Sequence, residues 1–274
     1  MSIQSSLRSG VRSTLRSGLN PSDSAASLAG VTRDATSGIY CPANATEWAS
    51  VLAVAGITSG GPSALWLMQE ASGNPADFIG SFTLTASGTL LYQQAVTGWT
   101  RKGIQTTAGV GGIMQSAAAG LPDIATQSCL LLGYVGCAAI VGTTRTLMQM
   151  GTIFAACATA QLAVGAPNRR ARYELDPNTT TGADDASTAV RPYAIKVDRT
   201  GSVGALYTDL EKLAPALAAN PAGKTVLFGG DNAQTNFPDI CQYVYGAALF
   251  LGAAEISDAN MRLLYQTLGW TVSW

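Results

Sequence analysis

The sequence predicts a mainly β protein: an antiparallel two-sheet β-sandwich fronted by an N-terminal extended arm and one short helix, and closed by one short C-terminal helix. Three observations carry this. From residue 60 onward, Gly, Ser and Thr clusters cut the chain into many short apolar runs, the spacing of a sandwich or barrel rather than of alternating strand–helix units. Charged residues make up 12% and hydrophobic ones 47%, against about 25% charged in an ordinary soluble domain, so uncharged polar side chains supply the remaining polarity. Clear helical signals occur in two short segments that flank this body.

The elements follow in order. Residues 1–36 form the arm, in which Ile3, Leu7, Val11, Leu15 and Leu19 recur every four positions and Arg8, Arg12 and Arg16 run in parallel. An even period keeps one face of an extended chain but drifts around a helix. The arm is too poor in apolar mass to build a core. It is either a tail without a fold of its own or an arm that orders on a neighbouring subunit. Residues 37–59 are a connector with one helix: Asn44 followed by Glu47 is a capping-box spacing, and Gly56 is a C′ stop. Trp48, Val51, Leu52 and Ala55 then share a face that must dock.

The body, residues 60–274, holds the expected strands Ala64–Met68, Phe82–Thr85, Leu90–Gln94, Cys129–Val135, Thr146–Met150, Ile153–Leu162, Tyr193–Val197, Val203–Tyr207, Thr225–Phe228 and Tyr243–Leu251. Ala194 to Val203 reads as a hairpin turning near Arg199-Thr200-Gly201. Asp176 to Arg191 reads as a polar loop without periodicity. The last helix is capped by Ser257, carries Asp258 in its first turn, repeats Met261, Leu264, Tyr265 and Leu268 on one face, and stops at Gly269.

Composition also excludes chemistry. With no histidine, a Ser-His-Asp or Cys-His nucleophile system lacks its proton carrier. Five cysteines without a CxxC pair read as mostly buried free thiols, with a disulfide framework as the weaker alternative. A formal net charge of −1 provides no field for nucleic acid. The longest apolar stretch, Cys129 to Val141, falls short of the roughly 20 residues a bilayer span needs and reads as a pair of core strands. No apolar h-region follows the N-terminal arginines, so no secretory signal is expected.

Several segments resemble one family. Ala64-Leu65-Trp66-Leu67-Met68-Gln69-Glu70-Ala71-Ser72-Gly73-Asn74, the hairpin Ile195 to Tyr207, Lys224 to Gly230, and above all the tail Ala247 to Asn260 with its Ile256-Ser257-Asp258-Ala259 entry into a helix resemble a laminin-G-like, concanavalin A-like lectin-glucanase jelly roll. The Leu-Arg-Ser-Gly repeats of the arm look like the opening of tailed-bacteriophage virion proteins. The chain departs from the family on its central strand, which opens Arg191-Pro192-Tyr193 where the family often has an aromatic-histidine start.

These resemblances imply a non-enzymatic structural protein of a bacteriophage virion, made in the host cytoplasm. Its jelly roll would be displayed on the capsid or tail, and Leu7, Arg8, Val11, Arg12, Leu15 and Arg16 would be used for assembly with other virion proteins and copies of itself. The alternative is a glycan-binding module contacting a host surface, with Trp99, Asp231, Asn232, Asn236 and Tyr243 as binding candidates. No cofactor is expected. Calcium-binding members of the family use loop oxygens, and Asp176, Asp184, Asp185, Asp231 and Asn232 are the residues here that match. A glycoside hydrolase ranks last, because that chemistry needs two nearby carboxylates and Glu174-Leu175-Asp176 lacks the second glutamate of the family's catalytic strand. The chain is therefore expected not to be an enzyme.

Overall fold

The computed structural model describes residues 28–58, 60–80, 82–106, 112–117, 126–137, 145–151, 158–162, 169–175, 178–185, 189–199, 203–214, 225–229, 242–252 and 256–274. The assembly arm from Leu7 to Arg16, and Asp176, Asp231, Asn232 and Asn236, lie outside them.

Among the described residues, two antiparallel sheets and two helices build the fold, as the sequence predicts. In chain order the elements are α1 (Ala45–Val54), β1 (Ala64–Trp66), β2 (Leu84–Ser87), β3 (Leu90–Gln94), β4 (Gly103–Thr106), β5 (Ile113–Ser116), β6 (Cys129–Cys137), β7 (Arg145–Met150) and β8 (Ala158–Leu162). Then come β9 (Arg169–Leu175), β10 (Asn178–Asp185), β11 (Arg191–Asp198), β12 (Val203–Tyr207), β13 (Lys212–Leu213), β14 (Val226–Phe228), β15 (Gln242–Leu251) and α2 (Asp258–Thr267). The first sheet runs β13-β12-β11-β6-β15-β4-β3, with β1 also paired to β15; the second runs β10-β9-β8-β7-β14-β5-β2.

Side-chain alternation explains why the middle strands read as unbroken apolar runs. Along β6, Cys129, Leu131 and Val135 enter the core between the sheets, where they meet Met114, Met148 and Phe228 of the second sheet. Leu130, Leu132 and Tyr134 of the same strand face an outer layer with Trp48, Val51, Leu264 and Tyr265 of the helices. A strand with successive side chains on opposite faces must be apolar at every position when both faces are covered. Full burial of each such side chain contributes about 1.5–3 kcal/mol. The expected pair of core strands in this stretch is thus one strand, β6, as far as residue 137.

The hairpin of β11 and β12 forms in the register Asp198↔Val203 to Ala194↔Tyr207. Cys41 and Cys129 are buried free thiols, as expected.

Two readings of the sequence are corrected. The segment taken as a polar loop, Asp176 to Arg191, contains β10, a strand paired to β9 from Asn178↔Leu175 to Asp185↔Arg169. Its backbone is recruited by the adjacent strand, and β-branched Thr179 to Thr181 suit the pleat. Asp184 and Asp185 accordingly stand in a strand, opposite Arg170 and Arg169, rather than in a loop. The strand expected at Ala64–Met68 ends at Trp66, because Met68 takes a left-handed conformation with φ +57°.

Both helices dock on the outer face of the first sheet. Asn44 caps α1 by accepting the Glu47 N–H at 3.0 Å, and Ser257 caps α2 by accepting the Asn260 N–H at 3.2 Å. The Glu47 carboxylate departs from the simple capping box: it accepts the Ala43 and Thr32 N–H groups at 3.0 and 2.7 Å. That pulls residues 28–43 onto the helix start, where Leu28 and Val31 join the outer layer. The end of the chain is fastened alongside. The Tyr207 hydroxyl donates to Asp258 Oδ1 at 2.8 Å, the Tyr265 hydroxyl to the Tyr207 carbonyl at 3.0 Å, and Trp274 Nε1 to the Thr208 carbonyl at 2.7 Å.

Candidate functional site

Where the N-terminal segment meets the first sheet, the chain leaves a polar cleft of about 250 Å³. Three stretches far apart in sequence form its walls: Thr32, Arg33, Asp34, Ala35 and Cys41 from the N-terminal turn, Gln69 beyond β1, and Thr100 and Arg101 before β4.

Asp34 joins two of these walls. Its Oδ1 accepts the Thr36 and Ser37 N–H groups and the Ser37 hydroxyl at 3.1, 2.8 and 2.9 Å, which folds the 34–38 turn. Its Oδ2 accepts the Thr100 and Arg101 N–H groups at 2.9 and 2.6 Å. Burial pushes the Asp34 carboxyl up, but the hydrogen bonds from Ser37, Arg101 and Thr36 outweigh it and hold the group below its ordinary value. Glu47 behaves alike: burial raises it, and the bonds from Thr32, Ala43 and Asn44 outweigh burial and hold it below its ordinary value.

The two arginines are held in place. Arg101 Nε donates to the Tyr245 carbonyl at 2.9 Å and Nη2 to the Leu67 carbonyl at 2.7 Å. Arg33 Nε donates to the Gly38 carbonyl at 2.6 Å, and its guanidinium carbon stands 5.3 Å from the centre of the Tyr40 ring. Among the described residues, neither forms an ion pair. Beneath them, burial drives the Cys41 thiol up to about 12, with Arg101 opposing and Asp34 adding, so it is protonated and inert at neutral pH.

Gln69 is oriented by unusual backbone on both sides. Met68 and Gln93 both have φ near +57°, a region that is costly for residues other than glycine and that concentrates at functional sites. Gln93 Nε2 donates to the Gln69 carbonyl and, at 3.2 Å, to the Glu70 carbonyl. Gln69 Nε2 donates to the Lys102 carbonyl.

Of the residues singled out from sequence, Trp99 is 9% exposed. It packs in an aromatic cluster with Tyr245, Trp270 and Tyr134 at 5.4, 6.1 and 6.2 Å between ring centres, immediately before the cleft residue Thr100. Tyr243 is half-buried, 6.2 Å from Tyr245. Among the described residues no group of three or more His, Cys, Asp or Glu is placed to hold a metal ion, and no helix is long and apolar enough to cross a membrane. The cleft residues Arg33, Asp34, Gln69 and Arg101 were not picked out from sequence; the one available signal was charge, as Arg33-Asp34 and Arg101-Lys102 stand in a chain that is 12% charged.

No family model and no curated protein matches the chain. Its fold matches solved structures. A Trypanosoma rangeli sialidase in complex with 2,3-difluorosialic acid, a covalent intermediate, aligns with a TM-score of 0.56 at 13% identity, over 75% of this chain and 33% of that one. The binding domain of botulinum neurotoxin DC in complex with rat synaptotagmin II aligns at 0.53 and 10% identity, over 76% and 52%. A structure concerned with botulinum neurotoxin type C, whose cell entry depends on interaction with two ganglioside molecules, aligns at 0.51 and 8% identity, over 76% and 51%. This chain spans a third to a half of those proteins, and the likeness is one of fold. It corrects one expectation: the sequence implies a chain that is not an enzyme, yet structures that share its fold include sialidases, so that exclusion does not stand.

Proposed function

We propose that the chain is a carbohydrate-binding β-sandwich module and that the cleft between residues 32–41, Gln69 and Thr100–Arg101 is where the sugar sits. The observation that carries this is the cleft's chemistry: Thr32, Thr100, Gln69, Arg33 and Arg101 line one space of about 250 Å³. These are the donors and acceptors that sugar hydroxyls need. The volume lies just below the roughly 300–1,000 Å³ of pockets for drug-sized ligands and suits one monosaccharide ring better than a long oligosaccharide. The fold it shares with a toxin whose cell entry uses gangliosides supports the reading by analogy of architecture.

A glycan array probed with the full chain tests it. Retention of a defined glycan set, with affinity reduced about fivefold by Gln69→Ala, as expected for the loss of one neutral hydrogen bond, supports the cleft. An array without hits, or binding indifferent to Gln69, contradicts it. Hydrolysis is the second reading, favoured by the sialidase likeness; release of free sugar from a retained glycan would establish it. A bacteriophage-virion location is also proposed, from the Leu-Arg-Ser-Gly repeats alone. Light scattering on the full chain and on a chain beginning at Leu28 tests the arm, with a lower mass for the shorter chain as the supporting result.

A further inference from the structure

We infer that the sugar taken by this cleft bears an oxyanion, a carboxylate or a sulfate, met by the guanidinium groups of Arg33 and Arg101. The inference rests on the glycan-binding reading and specifies its ligand class.

The chain has 16 basic residues against 17 acidic ones, yet two arginines line one small cleft without an ion pair among the described residues. Guanidinium is the side chain whose fixed fork offers two parallel N–H donors to a pair of oxygens on a carboxylate or a sulfate. The acidic residue in the wall, Asp34, has three donors on one oxygen and two on the other, so it is occupied in building the turn. Two positive charges against one negative leave the cleft locally cationic on a chain of net charge −1, and exposed Lys102 adjoins it. Both guanidinium groups are also oriented in advance, Arg101 by the Leu67 and Tyr245 carbonyls and Arg33 by the Gly38 carbonyl and the face of Tyr40. Such pre-orientation reduces the ordering cost of binding. A neutral sugar would leave both cations without a counter-charge when it displaced solvent.

Isothermal titration of the full chain with lactose, 3′-sialyllactose and a heparin tetrasaccharide separates neutral, carboxylate-bearing and sulfate-bearing ligands. At least one acidic sugar should bind about tenfold or more tightly than lactose, and raising salt from 50 to 500 mM should erode that preference, since exposed charges are screened. Arg33→Gln, at an exposed position, should abolish the preference for the acidic sugar over lactose, and Arg33→Lys should restore part of it. Equal affinity for lactose and both acidic sugars, or a preference that Arg33→Gln leaves intact, overturns the inference and leaves the glycan-binding reading standing. Binding of none of the three, together with a glycan array without hits, removes the reading itself.

Discussion

Asp34 is the residue on which the cleft depends most. Its carboxylate is ionised in the folded chain and accepts five hydrogen bonds that tie residues 36–37 to residues 100–101. Because its folded value lies below the ordinary 3.8, this stabilisation is fully present above that ordinary value and fades as pH falls through the lowered folded one. Asp34→Asn should therefore lower unfolding stability at pH 7 by about 2 kcal/mol. The gap from the parent should shrink as pH is taken from 5 toward 2, followed by urea denaturation at each pH; a gap unchanged by pH contradicts this account. No spacing rule could have found Asp34. Its partners Thr100 and Arg101 lie 66 and 67 positions away, and an Asp near Ser and Thr reads as an ordinary turn former. Trp99 was legible as an important aromatic, but the sequence could not tell a ring packed against Tyr134, Tyr245 and Trp270 from one presented to a ligand.

Among the elements, the helices were the most legible because their ends carry local chemistry. Both close with the same device. Past α1, Gly56 N–H reaches the Ala53 carbonyl and Ile57 N–H the Leu52 carbonyl; past α2, Gly269 N–H reaches Gln266 and Trp270 N–H reaches Tyr265. This is the Schellman pairing, with glycine at a positive φ of +69° and +98°. A side chain at position 56 would meet nothing nearer than 3.7 Å, whereas one at 269 would press on the Gly38 carbonyl at 3.3 Å and on Ile39. Gly56→Ala should thus cost about 1–2 kcal/mol from backbone strain alone, and Gly269→Ala measurably more, in paired thermal or urea melts. The reverse order would contradict the packing of α2 on residues 38–39. Strands were legible where both faces are buried and the run is long, as in β6 and β15. They were missed at β4, β5 and β9, and misread at β10, whose Asn-Thr-Thr-Thr opening looks like a loop until its neighbour supplies the ladder. Pairing partners are a property of the sheet, not of the segment.

In the whole molecule, the covered sheet explains the composition and the site together. Between the sandwich core and the helical outer layer, the described side chains of β6 and β11 are almost all covered, which suits a sequence with only 12% charged residues. The outer layer joins the start and end of the described chain: the Tyr40 N–H donates to the Leu268 carbonyl at 2.9 Å, and Asn260 Nδ2 reaches the Ala55 and Gly56 carbonyls at 3.4 Å. The cleft opens where this layer meets the β1 and β4 ends of the sheet. It is therefore a product of tertiary assembly, and the two-sheet architecture could be read from sequence while this seam could not. The central claim is that this seam is the sugar site. A crystal structure of the full chain with its strongest-binding array glycan tests that claim most directly. The expected result is a sugar ring within hydrogen-bond reach of Gln69, Thr100 and the Arg33 guanidinium; a sugar bound on any other surface, with the cleft unoccupied, would contradict the claim.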